Sequence, residues 1–193
     1  HWMVRRQRQM CIRDRQLTPL GITLDKQDDL QLLLLQLETS LIGSCCIFQG
    51  EELGLSDVTN IQFDKMKDPW GLNFYPEFLG RDTCRTPMVW EKNKPMGGFT
   101  SANESWLPIS ELHMEKAGLD MAKSEGSVYN KFSSFLKWRR KQPAMISSNK
   151  MSELSGGPSE IIFDRESETQ ILRCKFDFEL VEATFEEVTH GTS

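Results

Sequence analysis

The sequence of 193 residues is poor in histidine: His1, His113 and His190 stand far apart and offer no pair at metal-binding spacing. Its five cysteines, Cys11, Cys45, Cys46, Cys84 and Cys174, are odd in number and have neither metal nor redox spacing, which argues for reduced, cytoplasmic thiols. No apolar run approaches the roughly 20 residues needed to span a bilayer, and the longest is Leu32–Leu35, so no membrane is expected. Strong charge of one sign is missing too. With a net charge of -5 and mixed signs along the chain, nucleic acid and anionic membrane surfaces are not the expected partners. There is no Ser, His and Asp set, no phosphate-binding glycine loop and no dinucleotide fingerprint, and no cofactor or metal is expected. Neither a repeat of fixed period nor a low-complexity tract is visible. The chain does have 38% hydrophobic residues, enough for an ordinary globular core.

The first stretch, HWMVRRQRQMCIRDR, sets five arginines beside Trp2, Met3 and Met10 without helical or strand periodicity. Within it MCIRDR, Met10 to Arg15, resembles a translated transposon-end adaptor, so residues 1–16 are expected to be foreign to the fold and the natural chain to begin further upstream. From Asp25 to Leu41, Leu30, Leu33, Leu34, Leu37 and Leu41 recur at helical spacing. Asp25, Asp28 and Asp29 lie near the start, where the helix dipole favours negative charge. Gly43 ends this helix, and SCCIFQ follows as a short apolar run that suits a strand covered on both faces. Helix then buried strand is the rhythm of an α/β fold.

Gly50 to Ile109 has no sustained periodicity and is punctuated by Gly, Pro, Asn and Asp. A connection of that length is functional or disordered, and its wealth of Trp and Phe argues for an ordered, functional loop. A short helix is predicted over Leu112–Ala122 and a firm one over Ser127–Gln142, where Val128, Phe132, Phe135, Leu136 and the stem of Arg139 share a stripe, cations fill the last turns and Pro143 follows. Beyond it EIIFD, TQILRCKFDF and VEATFEEV alternate with period two between the turn signals SGGPS and RESE, so an antiparallel β unit of about three strands is expected.

Two places could carry chemistry. In QGEELGL, Glu51 and Glu52 follow the predicted strand, where α/β barrels present their active sites. Neighbours on an extended chain point to opposite sides, so they cannot form the roughly 5 Å facing carboxylate pair of a retaining glycosidase. At most one faces a ligand, and the plainer expectation is one glutamate paired with an arginine and the other solvated. In GRDTCRTPMVW, Arg81 and Arg85 bracket Asp82, and Pro87 restricts Thr86 to an extended conformation. A guanidinium held on so stiff a segment suits several hydroxyl oxygens, or a carboxylate that binds them. The plainer reading is that both arginines tie the loop down. Trp70, Phe74, Tyr75, Trp90, Phe99 and Trp106 could stack on sugar rings or form a private core of the loop.

CCIFQGEELGL, DPWGLNFYPEFLGRDTCRTPMVW, GGFTSANESWLPI and SVYNKFSSFLKWRRKQPAM together resemble the end of the catalytic region of α-amylase-superfamily α-glucosidases, of the exo-acting bacterial type that includes oligo-1,6-glucosidases. The resemblance runs from about residue 26 to 180. It implies the C-terminal part of a (β/α)8 barrel over residues 17–143, with Cys45–Gln49 as the eighth strand, Gly50–Ile109 as the eighth loop and Ser127–Gln142 as the closing helix. A truncated antiparallel β-sandwich domain would follow over 144–193. It implies retaining hydrolysis of terminal α-linked glucose from short oligosaccharides or disaccharides. The nucleophile, acid/base and stabilising carboxylates would lie upstream, so no catalytic residue is expected here. Arg85, in RTPM, would help hold the hydroxyls of the glucose at the cleaved end, with Glu51 and Asp82 as weaker substrate-binding candidates. Val89, Phe48 and Ser105 depart from residues usual in the family. The alternatives are a transglucosylase or sucrose isomerase of the same fold, or a non-catalytic relative that acts as an interaction partner.

Overall fold

The computed structural model describes residues 26–148 and 150–188. The adaptor-like segment, and Asp25 at the head of the first predicted helix, therefore lie outside the described residues. In chain order the elements are α1 (Gln27–Ser40), α2 (Pro69–Phe74), α3 (Glu111–Glu115), α4 (Gly118–Lys123), α5 (Val128–Arg139) and α6 (Pro143–Ile146), then β1 (Lys150–Met151), β2 (Glu160–Glu166), β3 (Ile171–Asp177) and β4 (Glu182–Glu187). Short 3₁₀ turns occupy Glu51–Leu53, Phe63–Lys65, Asp82–Cys84 and Pro95–Gly98. The chain divides into two compact units, residues 53–124 and residues 26–52 with 125–188. None of the described helices is long and apolar enough to cross a membrane.

The helix–sheet unit contains α1, α5, α6 and the sheet. Asp28 and Asp29 sit in the first turn of α1, where their charge opposes the positive end of the dipole. Leu30, Leu33 and Leu35 are buried, whereas Leu34 and Leu37 are half-buried, so the buried stripe is rotated from the expected one by the fit of α1 against α5. The Ser127 side chain accepts the N–H of Asn130 at 3.2 Å and opens α5 at the expected residue. Leu35, Val128, Phe132 and Phe135 form one core, with Leu32, Leu136, Trp138 and Phe185 packed against it.

The sheet is antiparallel in the order β1-β2-β3-β4, with Phe163 opposite Cys174 and Cys174 opposite Phe185. The period of two sends Phe163, Leu172, Cys174 and Phe176 inward, while Asp164 and Arg173 face out and pair at 2.9 Å. Phe185 reaches the rings of Phe135 and Trp138 at 5.2 and 5.0 Å, so sheet and helices share a core. The expected domain boundary at 143/144 falls inside this unit. One inward residue is a cation: Arg165, 2% exposed, donates to the carbonyls of Ser40 at 2.7 Å and Ser148 at 2.8 Å. Arg139 Nε donates to the carbonyl of Thr39 at 2.7 Å. The last carbonyls of α1, which no helical N–H can reach, are thus met by two guanidinium groups.

The expected barrel strand is not formed. Ser44 to Phe48 belongs to no strand or helix and Gln49 begins a turn, and Cys45, Cys46 and Ile47 are exposed rather than buried. A parallel barrel strand is stabilised by ladders on both edges and helices on its outer face, and no described residue pairs with this one.

The loop unit has no strand among its described residues. Asp68 caps α2 by accepting the N–H of Trp70, with Pro69 at the first helical position. The predicted helix over 112–122 is two short ones, because the chain turns at Lys116 and Ala117. Ala117 is fully buried, and the N–H groups of Gly118 and Leu119 bond to the carbonyls of Val89 and Trp90 at 2.9 and 3.0 Å. Val58, Ile61 and Met66 form a small core with Leu79. Aromatic residues do not build that core: Trp70, Phe74, Tyr75, Trp90, Phe99 and Trp106 are all exposed.

Candidate functional site

Arg85 lies in the loop unit and follows the 3₁₀ turn Asp82–Cys84, its N–H donating to the carbonyl of Asp82 at 3.1 Å. The side chain is half-buried, and its guanidinium has no hydrogen-bond or ion-pair partner among the described residues. Its neighbours are in the opposite condition. Asp82, Thr83, Thr86, Pro87, Met88 and Val89 are all buried. A rigid base therefore presents a five-donor cation that the loop itself leaves unsatisfied.

Three sets of bonds make that base. Asp82, 1% exposed, accepts the backbone N–H groups of Lys67 and Asp68 on Oδ2 at 2.5 and 2.8 Å. Through that one oxygen the buried Asp82 fastens the Lys67–Asp68 segment to the 3₁₀ turn and so holds the loop. Thr83 donates its hydroxyl to Asp57 at 3.1 Å and accepts the N–H of Val58 on its carbonyl at 2.9 Å. Thr86 faces His113 across 3.5 Å.

Arg81 does not clamp Asp82, as the bracketing in the sequence suggests, but Asp68. Its backbone N–H and Nε donate to Oδ2 at 2.6 and 3.0 Å, and Nη2 donates to Oδ1 at 2.9 Å. The guanidinium of Arg81 holds the Asp68 carboxyl at about 2, below its ordinary 3.8, against the opposing effect of burial. Gly80, at φ +70, is required beside this pair, since a Cβ there would stand 2.7 Å from Asp68 Oδ2 and from the Gly71 nitrogen. Asp68 was not singled out by sequence reasoning. Its only signal was the dipeptide Asp68-Pro69, which marks a helix start as readily as a turn.

Glu51 and Glu52 belong to the other unit. Glu51 Oε2 accepts the N–H of Phe48 at 3.1 Å, and Glu52 Oε2 accepts that of Gly50 at 2.9 Å. Both therefore bind backbone in a tight turn. Cys45, Cys46, Cys84 and Cys174 are free thiols, and burial pushes Cys174 up to about 12. No group of three His, Cys, Asp or Glu among the described residues could hold a metal ion.

The chain matches the α-amylase catalytic domain family over residues 13–148. It belongs to that family. Its fold is accordingly the C-terminal part of a (β/α)8 barrel domain followed by an antiparallel β sheet. It is 45% identical over 113 residues to a probable α-glucosidase of Rhizobium meliloti (strain 1021), covering 58% of this chain and 20% of that protein. It is 25% identical over 152 residues to an oligo-1,6-glucosidase of Halalkalibacterium halodurans, covering 69% of this chain and 27% of that one. Among solved structures it resembles an α-glucosyl transfer enzyme, XgtA, with a TM-score of 0.73 and 35% identity over 78% of this chain and 28% of that chain. The chain thus spans about a fifth to a quarter of the length of the curated relatives it matches.

Proposed function

We propose that this chain is the C-terminal part of a retaining α-glucosidase that removes terminal α-linked glucose from short oligosaccharides or disaccharides. In it Arg85 grips the hydroxyls of that glucose. Residues 17–143 belong to the barrel domain and 144–193 to the β domain that follows it. Cleavage is performed by three carboxylates supplied upstream: a nucleophile that forms the glycosyl-enzyme, an acid/base that protonates the leaving oxygen and later activates water, and a stabilising aspartate. Arg85 transfers no proton. It binds and orients, and this lowers the barrier to the extent that its bonds strengthen as the ring flattens.

The observation that carries the assignment is the contrast at Arg85, a half-buried residue whose guanidinium has no partner among the described residues, between the buried pairs Asp82–Thr83 and Thr86–Pro87. Arg81, by comparison, has a carboxylate to satisfy it. The exposed rings of the same loop supply faces on which sugars stack. A cytoplasmic site of action is supported by the four free thiols. A second reading, glucosyl transfer to an acceptor other than water, draws on the resemblance to XgtA.

The test is the parent enzyme, expressed with its upstream codons and assayed on an aryl α-glucoside and on isomaltose. Arg85→Ala is expected to lower kcat/KM by about 10- to 100-fold, the equivalent of roughly 1.5–3 kcal/mol for hydrogen bonds to a charged group. Kinetics like the wild type's would remove Arg85 from the site. Upstream sequence lacking the three carboxylates would remove the enzyme reading altogether. Free glucose as the main product supports hydrolysis, and glucosylated acceptors support transfer.

A further inference from the structure

His113 is buried in α3 and takes no part in any chemistry so far described. Its Nε2 lies 2.8 Å from the carbonyl oxygen of Ser56. A carbonyl only accepts, so Nε2 carries the proton, and in the neutral ring Nδ1 is left as an acceptor facing the Thr86 hydroxyl at 3.5 Å. Lys116, at the end of the same helix, donates Nζ to the carbonyl of Gly54 at 2.8 Å. Together they fasten the 54–56 segment to α3 and bring the imidazole to the residue that follows Arg85. Pro87, next along, has no N–H to donate, and the contact of Thr86 with His113 stands beside the backbone bond from the Gly118 N–H to the Val89 carbonyl.

We propose that His113 is a positioning residue for the saccharide site, joining Ser56 to Thr86 and so fixing the direction in which the Arg85 side chain leaves the backbone. The inference rests on the assignment of Arg85 to sugar binding. Burial lowers the affinity of His113 for a proton, and Lys116 acts in the same sense, while the Ser56 carbonyl and the charge of Asp57 act against them. The ring is therefore kept neutral, with Nδ1 available as an acceptor.

The experiment uses the parent enzyme and reads kcat/KM together with the dissociation constant for free glucose. Thr86→Val is close to isosteric and removes only the hydroxyl, and Thr86→Ser restores it. Thr86→Val and His113→Gln are each expected to weaken glucose binding and lower kcat/KM by about threefold to tenfold, the range for one hydrogen bond, with Thr86→Ser close to wild type. In an Arg85→Ala background the same substitutions should change either quantity by less than about twofold, because their effect passes through the missing guanidinium. Equal losses in both backgrounds, or no loss in either, would overturn the role of His113 and leave the role of Arg85 standing. If Arg85→Ala alone leaves glucose binding unchanged, the sugar-binding assignment fails and the positioning role falls with it.

Discussion

Replacing Asp68 with asparagine tests how the loop unit holds its shape. The Asp68 side chain is fully buried and receives three donors from Arg81 and one from Trp70. Its carboxyl is held at about 2 instead of 3.8, so the fold prefers the ionised form by about 2 kcal/mol at neutral pH. The sign follows from the direction of the shift. A depressed carboxyl contributes stability above its unfolded value of 3.8 and loses that contribution as pH falls from there towards about 2. Asparagine keeps one acceptor but turns an amide N–H₂ toward donors that cannot receive it, so Asp68→Asn should cost about 2–3 kcal/mol at pH 7. Urea unfolding of both proteins across a pH series, followed by tryptophan fluorescence, reads the difference directly. That difference should be flat above about pH 5 and shrink below about pH 4, with the variant showing no step of its own there. A difference that persists unchanged to pH 2, or a variant as stable as the wild type at pH 7, would refute the reasoning.

Gly80→Ala should destabilise by about 1–3 kcal/mol in the same urea assay, since it adds a positive-φ penalty to a close approach on Asp68 and Gly71. Arg165→Met should cost about 3 kcal/mol or more by leaving the carbonyls of Ser40 and Ser148 without donors; a thermal shift within error of wild type would contradict that. Native alkylation mapped by mass spectrometry should label Cys46 readily and leave Cys174 unmodified near neutral pH, because the latter is fully buried and its thiol is pushed up to about 12. Labelling of Cys174 at a rate close to that of Cys46 would mean that the inward face of β3 opens freely.

Elements that carry their own periodicity were legible in the sequence. Ser127 caps α5 as its residue type foretells, and the three long strands alternate as EIIFD, TQILRCKFDF and VEATFEEV suggest. What failed depended on partners distant in sequence. Cys45–Gln49 has a strand's composition, but a strand exists only by pairing, and no described residue supplies the ladder. Arg81 stands next to Asp82 in sequence yet bonds to Asp68, thirteen positions away, because an irregular loop has no period by which a reader can assign partners. The same limit hid His113, whose partners at Ser56 and Thr86 lie 57 and 27 residues off. At Arg85 the local sign is Pro87, which acts on its immediate neighbours but leaves open whether the guanidinium ties the loop down or meets a ligand. Nothing local in the sequence separates the guanidinium of Arg85, without a partner among the described residues, from that of Arg81, which Asp68 holds.

The bonds that join Asp82, Thr83 and Thr86 to Lys67, Asp68, Asp57, Val58 and His113 close within residues 53–124, and none of these partners is one of the exposed aromatic residues. Anchorage and display are therefore separable in this segment. Selection can exchange Trp70, Phe74 or Trp106 without disturbing those bonds, so new surface chemistries are reachable by single steps from a framework that stays as it is.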